Sequence, residues 1–242
     1  MRKYLLVFLS VLGLMFGSLN SLYAQDFSGG FSVDVMSQYL WRGKDMTDSA
    51  VVQPDLSLSY KDFTVDFWAD YDAGGKSDID EVDFTLSYSH TFKVGPGEIA
   101  PSIGYIYYDV DGGDTQEIYA GLSYGQQLVP DVGLNIGVTV YRDVDTVHST
   151  YVEGTLGIDV SALKPLTISP YVTASYYSYD DVNAFDPTKH TNGWNNVELG
   201  TDVSFTISGP LSGHAKIAYS FGNSDMGLDD EFYGGVGVSL GF

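Results

Sequence analysis

The chain has 242 residues, a formal net charge of −21 and no cysteine. Its hydrophobic content of 44% argues against a helical membrane protein. Strong acidity argues against nucleic acid as a partner, because phosphates attract basic surfaces. The lack of cysteine excludes a disulfide scaffold and a thiolate metal site. The 19 tyrosines and 13 phenylalanines favour β-strands, and the length fits one all-β domain.

The first residues are predicted to be a cleaved signal peptide, residues 1–24. Arg2 and Lys3 form a basic start, residues 4–16 form an apolar run, and the small Ala24 precedes Gln25. The alternative is a membrane anchor, but the run is shorter than the roughly 20 residues that a spanning helix needs. The remaining residues, 25–242, are predicted to form one domain.

Alternation of apolar and polar residues with period two runs through the rest of the chain and indicates strands. In the last segment Phe232, Val236, Val238, Leu240 and Phe242 fall on one face. About twelve such segments are predicted, each near the roughly 9–11 residues that cross a bilayer as a tilted strand. They are 30–42, 50–60, 63–72, 79–92, 98–108, 115–126, 132–142, 149–160, 166–178, 194–207, 211–222 and 231–242.

The connections between these segments alternate in kind. Every second connection is longer and rich in Asp, such as 109–114 and 179–193, whereas those between are mostly shorter or carry Lys and Pro. Aromatic residues on the apolar face cluster near both strand ends. Near the long loops they are Tyr39, Trp41, Tyr71, Tyr105, Tyr107, Tyr176, Tyr219, Phe221 and Phe232, and near the short turns Tyr60, Phe63, Tyr88, Phe92, Tyr124, Phe205 and Phe242.

Two architectures share the alternation, a soluble sandwich and a membrane barrel. Long loops on one side, short turns on the other and two aromatic belts are typical of an outer-membrane barrel. The fold class predicted is therefore all-β, an antiparallel up-and-down transmembrane barrel of about twelve strands. An even strand number places both termini in the periplasm and the acidic loops outside the cell.

Two stretches resemble known families. Residues 232–242 resemble the assembly signal of bacterial outer-membrane proteins, an aromatic-rich strand that ends in Phe. Tyr39-Leu40-Trp41-Arg42-Gly43, followed by Ala50-Val51-Val52-Gln53-Pro54, resembles the opening of a proteobacterial putative porin family, the TorF type. The extra Val before Gln53 and the Pro at position 54 depart from that family's pattern. The resemblance covers about two strands and implies an outer-membrane channel.

The polar face predicts an acidic lumen, because carboxylates that line a pore attract cations. The pore-lining candidates are Asp34, Arg42, Asp55, Asp66, Trp68, Asp70, Asp83, Glu117, Tyr119, Tyr141, Glu153, Tyr171, Glu198, Asp202 and Lys216. Arg42, placed on the first strand, and Lys216, placed on the eleventh, are expected to face Asp55, Asp66 or Asp70. These cations form either a constriction with the carboxylates or structural ion pairs. The function predicted is passive diffusion of small cationic or neutral solutes.

Other functions are weaker hypotheses. A non-conducting structural or adhesive barrel would act through its acidic loops. An outer-membrane hydrolase would use His148 beside Asp143 and Asp145, but no nucleophile motif accompanies it, so no enzyme activity is expected. The Asp-rich loops lack EF-hand spacing, so no metal site or other cofactor is predicted. The expected partners are outer-membrane lipids, lipopolysaccharide, the barrel assembly machinery and small solutes, with the oligomeric state left open.

Overall fold

The computed structural model describes residues 26–74, 79–184 and 186–242. The predicted signal peptide lies outside these residues. The described chain is almost entirely strand: β1 (Phe27–Met36), β2 (Leu40–Trp41), β3 (Lys44–Asp45), β4 (Val51–Tyr60), β5 (Phe63–Asp72), β6 (Ile79–Ser89), β7 (Phe92–Val94), β8 (Gly97–Val110), β9 (Gly113–Val129), β10 (Val132–Asp143), β11 (Ser149–Val160), β12 (Leu166–Tyr179), β13 (Asn192–Ser208), β14 (Leu211–Gly222) and β15 (Glu231–Gly241). Among these residues no helix is long and apolar enough to cross a membrane.

The strands close into an antiparallel barrel. From β4 to β6 and from β8 to β15 each strand pairs with the next along the chain, and β1 pairs with both β4 and β15. Both β6 and β7 pair with β8, so together they form one strand of the barrel wall and complete the ring. We call each such strand of the wall a stave. The barrel therefore has twelve staves, which confirms the predicted fold class and strand number. Closure leaves no free edge in the wall that the described residues form, so the wall strands satisfy their backbone groups through one another.

The outer surface of the barrel is apolar. Phe232 is 63% exposed and Val236 is 61% exposed, and the outward faces of the other staves carry similarly exposed Val, Leu, Ile and aromatic side chains. The register places the opposite residues, such as Asp34, Asp66 and Glu198, on the inner face. This alternation follows from the two-residue period of a strand, and it fits a wall whose outer side faces lipid.

The two ends of the barrel differ. At one end, here called the turn end, the connections 61–62, 130–131 and 209–210 have two residues each. Lys61 and Asp131 adopt positive φ there, as tight hairpins require. At the other end, the loop end, the first loop (37–50), the fifth loop (180–191) and the sixth loop (223–230) are longer. The structure thus has the predicted alternation at most connections. The connection predicted over 109–114 is an exception, because β8 and β9 extend into it and leave a turn of two residues, 111–112, at the loop end.

The first stave differs from its prediction. The sequence predicts one strand over 30–42, but β1 ends at Met36, and Leu40–Trp41 and Lys44–Asp45 form a separate two-stranded hairpin. The placement of Tyr39 and Trp41 in the outer aromatic belt was wrong, because their rings contact the inward-facing Trp68 and Tyr108. Positive φ angles at Arg42 and Gly43 turn the chain back on itself, and alternation alone carries no sign of that turn.

Tyr171 packs across the inner face onto Gly200, its register partner, so a Cβ at position 200 would overlap the tyrosine ring. The Tyr171 hydroxyl donates a 2.6 Å hydrogen bond to Glu198. We expect Gly200→Ala to displace this ring and lower the free energy of unfolding by about 1–3 kcal/mol, as overpacking does. The loss of stability is measured as a decrease in the temperature at which the band of the folded barrel shifts to that of the unfolded chain on a detergent gel.

Gly137 is a matched control on the inner face of β10, because a Cβ there meets no heavy atom within 4 Å. Gly137→Ala should leave the band-shift temperature unchanged. An equal decrease of the band-shift temperature in Gly200→Ala and Gly137→Ala would contradict the packing described for Tyr171.

Candidate pore and its constriction

A hairpin from the first loop enters the barrel. Leu40 pairs with Asp45 and Trp41 with Lys44, and the Met46 amide donates a 2.9 Å hydrogen bond to the Tyr39 carbonyl. We call residues 39–46 the inserted hairpin. Its two turn residues, Arg42 (φ 50°) and Gly43 (φ 82°), both lie in the left-handed region that two-residue hairpin turns require. Glycine adopts this conformation freely, but arginine does so at a cost that other contacts must offset.

The inserted hairpin spans the lumen from one wall to the other. Near its base, the Tyr39 ring lies 5.3 Å from the Trp68 ring on β5. Burial raises the pKa of the Tyr39 hydroxyl, and the neighbouring carboxylates of Glu81 and Asp83 raise it further, so this phenol stays protonated. At its tip the hairpin contacts β9, β12 and β13 on the far side of the barrel.

Arg42 fixes the tip. Its two terminal nitrogens donate to the two carboxylate oxygens of Glu117, at 2.8 and 2.7 Å, in a bidentate pair. Both side chains are buried, with 7% and 3% of their surface exposed. The guanidinium carbon lies 4.5 Å from the Trp41 ring centroid, 4.9 Å from that of Tyr141 and 4.3 Å from that of Tyr151. Aromatic faces favour a planar cation, so these rings partly replace its lost hydration.

A β-bulge on the wall receives the hairpin backbone. Ala174 pairs with Val197 and Tyr176 with Trp194, so the two residues Asn195 and Asn196 lie opposite the single Ser175. The Asn195 amide donates a 2.7 Å hydrogen bond to the Arg42 carbonyl. A Cβ at Gly43 would come within 2.9 Å of Asn196 Cγ, so the close approach also requires glycine there. The bulge thus provides a docking point for the hairpin tip.

The fifth and sixth loops cover this point from the loop end. Met226 and Leu228 are each 1% exposed and pack against Tyr151, Tyr177 and Tyr179. The Asn183 amide in the fifth loop donates to the Met226 carbonyl in the sixth, at 2.9 Å. Hydrophobic contact and this cross-loop bond hold the two loops together above the inserted hairpin.

An exposed ion pair ties the fifth loop to the wall. Arg142 on β10 donates to the two carboxylate oxygens of Asp180, at 2.9 and 2.5 Å. This hydrogen bonding lowers the pKa of the Asp180 carboxyl below its usual value. A carboxyl with a lowered pKa stabilises the folded state above its unfolded pKa. That contribution is lost as the pH falls through the lowered value.

Below the inserted hairpin lies a cavity of about 380 Å³. Its lining includes Leu40, Arg42, Gly43, Tyr151, Glu153, Thr155, Tyr171, Thr173, Asn196, Glu198, Asp202 and Lys216. A second cavity of about 330 Å³ shares Thr155, Tyr171 and Asp202 with the first and extends among β9 to β13. Because the two adjoin at these three residues, they mark a route along one side of the lumen.

The predicted site residues separate into two groups. Arg42, Glu117, Tyr141, Glu153, Tyr171, Glu198, Asp202 and Lys216 lie around the hairpin tip and the first cavity. Asp34, Asp55, Asp66, Trp68, Asp70 and Asp83 face inward from β1, β4, β5 and β6 on the other wall. Tyr119 joins the first group, with its ring 5.5 Å from that of Tyr141.

Arg42 does not pair as predicted. Its partner is Glu117, not Asp55, Asp66 or Asp70, because the inserted hairpin carries it across the lumen rather than along β1. Lys216 has Asp202 as its register partner on the adjoining strand and lies 3.7 Å from Glu198 on that strand, so it does not face Asp55, Asp66 or Asp70 either. On the other wall Asp34 makes a 2.5 Å contact with His214, and Asp70 accepts a 2.9 Å hydrogen bond from Gln53.

Sequence reasoning missed the residues that hold the hairpin tip. Tyr151, Asn195 and Asn196 contact Arg42 or Gly43, yet none was singled out as a pore residue. The adjacent pair Asn195-Asn196 was the available signal, because two polar residues in succession break the alternation of β13.

The hydrolase hypothesis rests on Asp143 beside His148. Asp143 is 1% exposed, and its Oδ1 accepts the backbone N–H groups of Asp145, Val147 and His148 at 3.0–3.1 Å. Its Oδ2 accepts the Thr115 hydroxyl at 2.6 Å. The carboxylate therefore shapes the loop between β10 and β11 rather than orienting the imidazole. Among the described residues no cluster of His, Asp and Glu is arranged to hold a metal ion.

Neither a family model nor a curated protein matches this chain. Solved structures match its fold. The KdgM porin superposes with a TM-score of 0.57 at 11% identity, covering 88% of this chain and 99% of that one. The COG4313 outer membrane channel from Pseudomonas putida F1 gives 0.60 at 8% identity, covering 93% and 98%. The NanC porin gives 0.56 at 12% identity, covering 87% and 98%.

At these identities the likeness shows a shared fold, the closed antiparallel barrel of outer-membrane channels. The resemblance of the first two strands to the TorF-type family stays a prediction.

The buried pair of Arg42 and Glu117 gives a prediction about stability. Removing one partner leaves an uncompensated buried charge, so Arg42→Ala and Glu117→Ala should each lower the free energy of unfolding by about 3–5 kcal/mol. The double variant should lose less than the sum, with a coupling energy of about 0.5–3 kcal/mol. Urea unfolding in detergent micelles, followed by tryptophan fluorescence, measures all three variants.

Arg142→Ala is the matched control, because it removes an arginine from an exposed ion pair. Exposed pairs contribute at most about 1 kcal/mol, so Arg142→Ala should lower the free energy of unfolding far less than either lumenal variant. Strictly additive losses at Arg42 and Glu117 would contradict the coupling of the two side chains.

Proposed function

We propose that this protein is an outer-membrane channel for the passive diffusion of small cationic or neutral solutes. The observation that carries the proposal is the cavity of about 380 Å³ inside a closed barrel, lined by Glu153, Glu198 and Asp202 and narrowed by the inserted hairpin. An apolar outer wall around a polar, hollow interior is what a channel in a lipid bilayer needs. The shared fold with proteins named as porins and outer membrane channels is consistent with this role.

Charge gives the proposed channel its preference. Carboxylates face the lumen on both walls, and they raise the local concentration of cations while they disfavour anions. Arg42 adds little positive potential, because its bidentate partner Glu117 neutralises it. One of the similar solved structures is the KdgM porin in complex with disordered oligogalacturonate. An acidic oligosaccharide is the opposite of what the lumen of this protein would attract.

Size selection is the role we assign to the inserted hairpin. Its bidentate anchor and its aromatic neighbours hold it across the lumen, so a solute passes beside it rather than through the centre. The wall tyrosines Tyr119, Tyr141 and Tyr171 narrow the remaining space. Hydrated ions and small organic solutes fit such a gap, whereas folded chains do not.

The remaining roles follow from an outer-membrane location. We propose export through the signal peptide, residues 1–24, and recognition of the last strand by the barrel assembly machinery. The outward side chains of Phe232, Val236, Val238, Leu240 and Phe242 would carry the assembly signal. The Phe242 backbone already closes the barrel, with hydrogen bonds of 2.7 and 2.9 Å to Gly29. The loop end would then face outward, where the acidic loops meet lipopolysaccharide.

A second candidate function is a non-conducting structural or adhesive barrel. The cover that the fifth and sixth loops form over the inserted hairpin favours it, because Met226 and Leu228 are buried at the mouth. Conductance separates the two functions.

We expect the purified protein to give discrete ion steps in a planar bilayer, with a reversal potential that shows a preference for K⁺ over Cl⁻ under a tenfold KCl gradient. The physical reason is the excess of lumenal carboxylates. The double variant Arg42→Ala with Glu117→Ala should conduct more than the wild type, because its inserted hairpin loses the bidentate anchor.

Arg142→Ala should conduct as the wild type does, since Arg142 lies outside the lumen in an exposed pair. If neither the wild type nor the double variant gives ion steps, the proposed channel is refuted. Steps that favour Cl⁻ would refute the acidic-lumen argument and leave the channel standing.

A further inference from the structure

We propose that Lys216 is a specificity-determining residue of the channel, because its ammonium group is a tethered cation that limits the preference for cations over anions. The inference rests on the proposed function and names the residue that tunes its charge preference. Three observations carry it: the charges that line the first cavity, the position of the ammonium group, and the way in which its neighbours are held without it.

The lining of the first cavity gives Lys216 a large share of the local charge. Of the described residues that line it, three are carboxylates, Glu153, Glu198 and Asp202, and two are cations, Arg42 and Lys216. The bidentate partner Glu117 neutralises Arg42 from outside the lining. Lys216 therefore offsets one of the three lining carboxylates. An ion in a confined passage responds to the sum of the charges near it, so a change at this one residue alters much of the field.

The Lys216 side chain leans along the wall. Its register partner on β13 is Asp202, but its Nζ lies 3.7 Å from Glu198, which pairs with Ser220 farther along β14. The side chain thus passes the small residue Ala218 and points toward the loop end. About a third of it, 32%, is exposed. The ammonium group therefore faces the cavity and is not enclosed by the wall.

The neighbours of Lys216 do not need it as a hydrogen-bond donor. Tyr171 and Tyr233 donate to the two oxygens of Glu198, at 2.6 and 2.8 Å. The contact between Lys216 and Glu198 is longer than a hydrogen bond, so the ammonium group attracts this carboxylate without capping it. Its Nζ lies 5.1 Å from the Tyr171 ring centroid and 5.6 Å from that of Tyr233, within the range of cation–π contacts.

These contacts keep the positive charge beside the route without building it into the fold. A partly exposed ion pair contributes little to stability, so what Lys216 supplies is chiefly charge. The ammonium group repels a passing cation near Glu198 and Asp202 and attracts a passing anion. Removing it changes both effects in the same direction. At separations of about 5 Å this should raise the ratio of K⁺ to Cl⁻ permeability at least threefold in dilute salt.

The test changes the charge at this position in a folded channel. The chain has no cysteine, so Lys216→Cys introduces a single thiol. The 2-aminoethyl, methyl and 2-sulfonatoethyl methanethiosulfonates each form a disulfide with that thiol and release methanesulfinate. Position 216 then carries a positive, a neutral or a negative group. The reversal potential in a planar bilayer, under the KCl gradient used for the wild type, gives the permeability ratio in each state.

We expect unmodified Lys216→Cys to raise the ratio of K⁺ to Cl⁻ permeability at least about threefold over the wild type. The aminoethyl group should restore the wild-type ratio, the methyl group should leave the raised ratio unchanged, and the sulfonatoethyl group should raise it further. The differences should shrink at about 1 M salt, where the Debye length is roughly 3 Å. A ratio that does not depend on the charge at position 216 would overturn the proposal.

Lys164→Cys is the matched control, because it removes the same charge from an exposed turn-end position. Lys164 lies 3.6 Å from Asp131, and 79% of its side chain is exposed. Its reversal potential should match that of the wild type with all three reagents. Equal shifts at both positions would mean that the net charge of the protein acts, and the role of Lys216 would be refuted. Lys216→Met keeps an apolar stem beside Tyr171 and should raise the ratio as unmodified Lys216→Cys does, so it replaces the cysteine variant where that one fails to fold.

Failure of this inference is distinct from failure of the channel. A barrel that conducts with the same ratio in the wild type and in Lys216→Met refutes the role of Lys216 alone. A wild type that favours Cl⁻ and a Lys216→Met variant that favours K⁺ would support Lys216 and refute the preference proposed for the channel. The absence of ion steps in every variant refutes the channel, and the inference with it.

Discussion

The arrangement of the lumen depends on one buried ion pair, Arg42 with Glu117. Desolvating two charges costs several kcal/mol each, and the attraction between them offsets this cost only when the geometry is good and the remaining donors are satisfied. Here the pair is bidentate, Tyr177 accepts a further hydrogen bond from Arg42 at 3.2 Å, and Tyr108 donates to Glu117 at 2.9 Å. The surrounding rings complete the replacement of water. The inserted hairpin, with its unfavourable arginine φ, can persist because these contacts hold its tip.

Acidity and tyrosine content are two parts of one arrangement in this barrel. Interior carboxylates need hydrogen-bond donors, and lysine and arginine are scarce. Tyrosine hydroxyls take that role: Tyr171 and Tyr233 donate to Glu198, Tyr151 donates to Glu153, and Tyr108 donates to Glu117. A phenol satisfies a carboxylate without cancelling its charge. The carboxylates of Glu117, Glu153 and Glu198 can therefore stay negative and still be hydrogen-bonded, and the same rings narrow the passage.

The sequence predicted the wall of the barrel and missed what enters it. Strand periodicity separates inner from outer residues because a side chain must face either lipid or lumen, so the positions of Phe232, Asp66 and Glu198 follow from alternation. The fold class and the number of staves follow from the same pattern.

The inserted hairpin does not follow from that pattern. Tyr39, Leu40, Trp41 and Arg42 alternate as a wall strand would, and only the backbone turn at Arg42 and Gly43 reverses the chain. The partner of Arg42 is 75 residues away in sequence, on a strand that only the closed barrel brings opposite. Pairing across a lumen depends on closure and stagger, which local residue patterns do not encode.

In the proposed channel, the position of the hairpin would also determine which carboxylates a solute meets. Tyr39 and Trp68 fill the side of the lumen near β5, whereas both described cavities lie among β9 to β14. A solute that followed this route would pass Glu153, Glu198 and Asp202 at close range and stay farther from Asp55 and Asp66 on the other wall. Electrostatic selection is strongest at short distance and low water content. The carboxylates below the hairpin tip should therefore dominate selectivity, and those on the other wall should chiefly contribute to the general negative potential of the lumen.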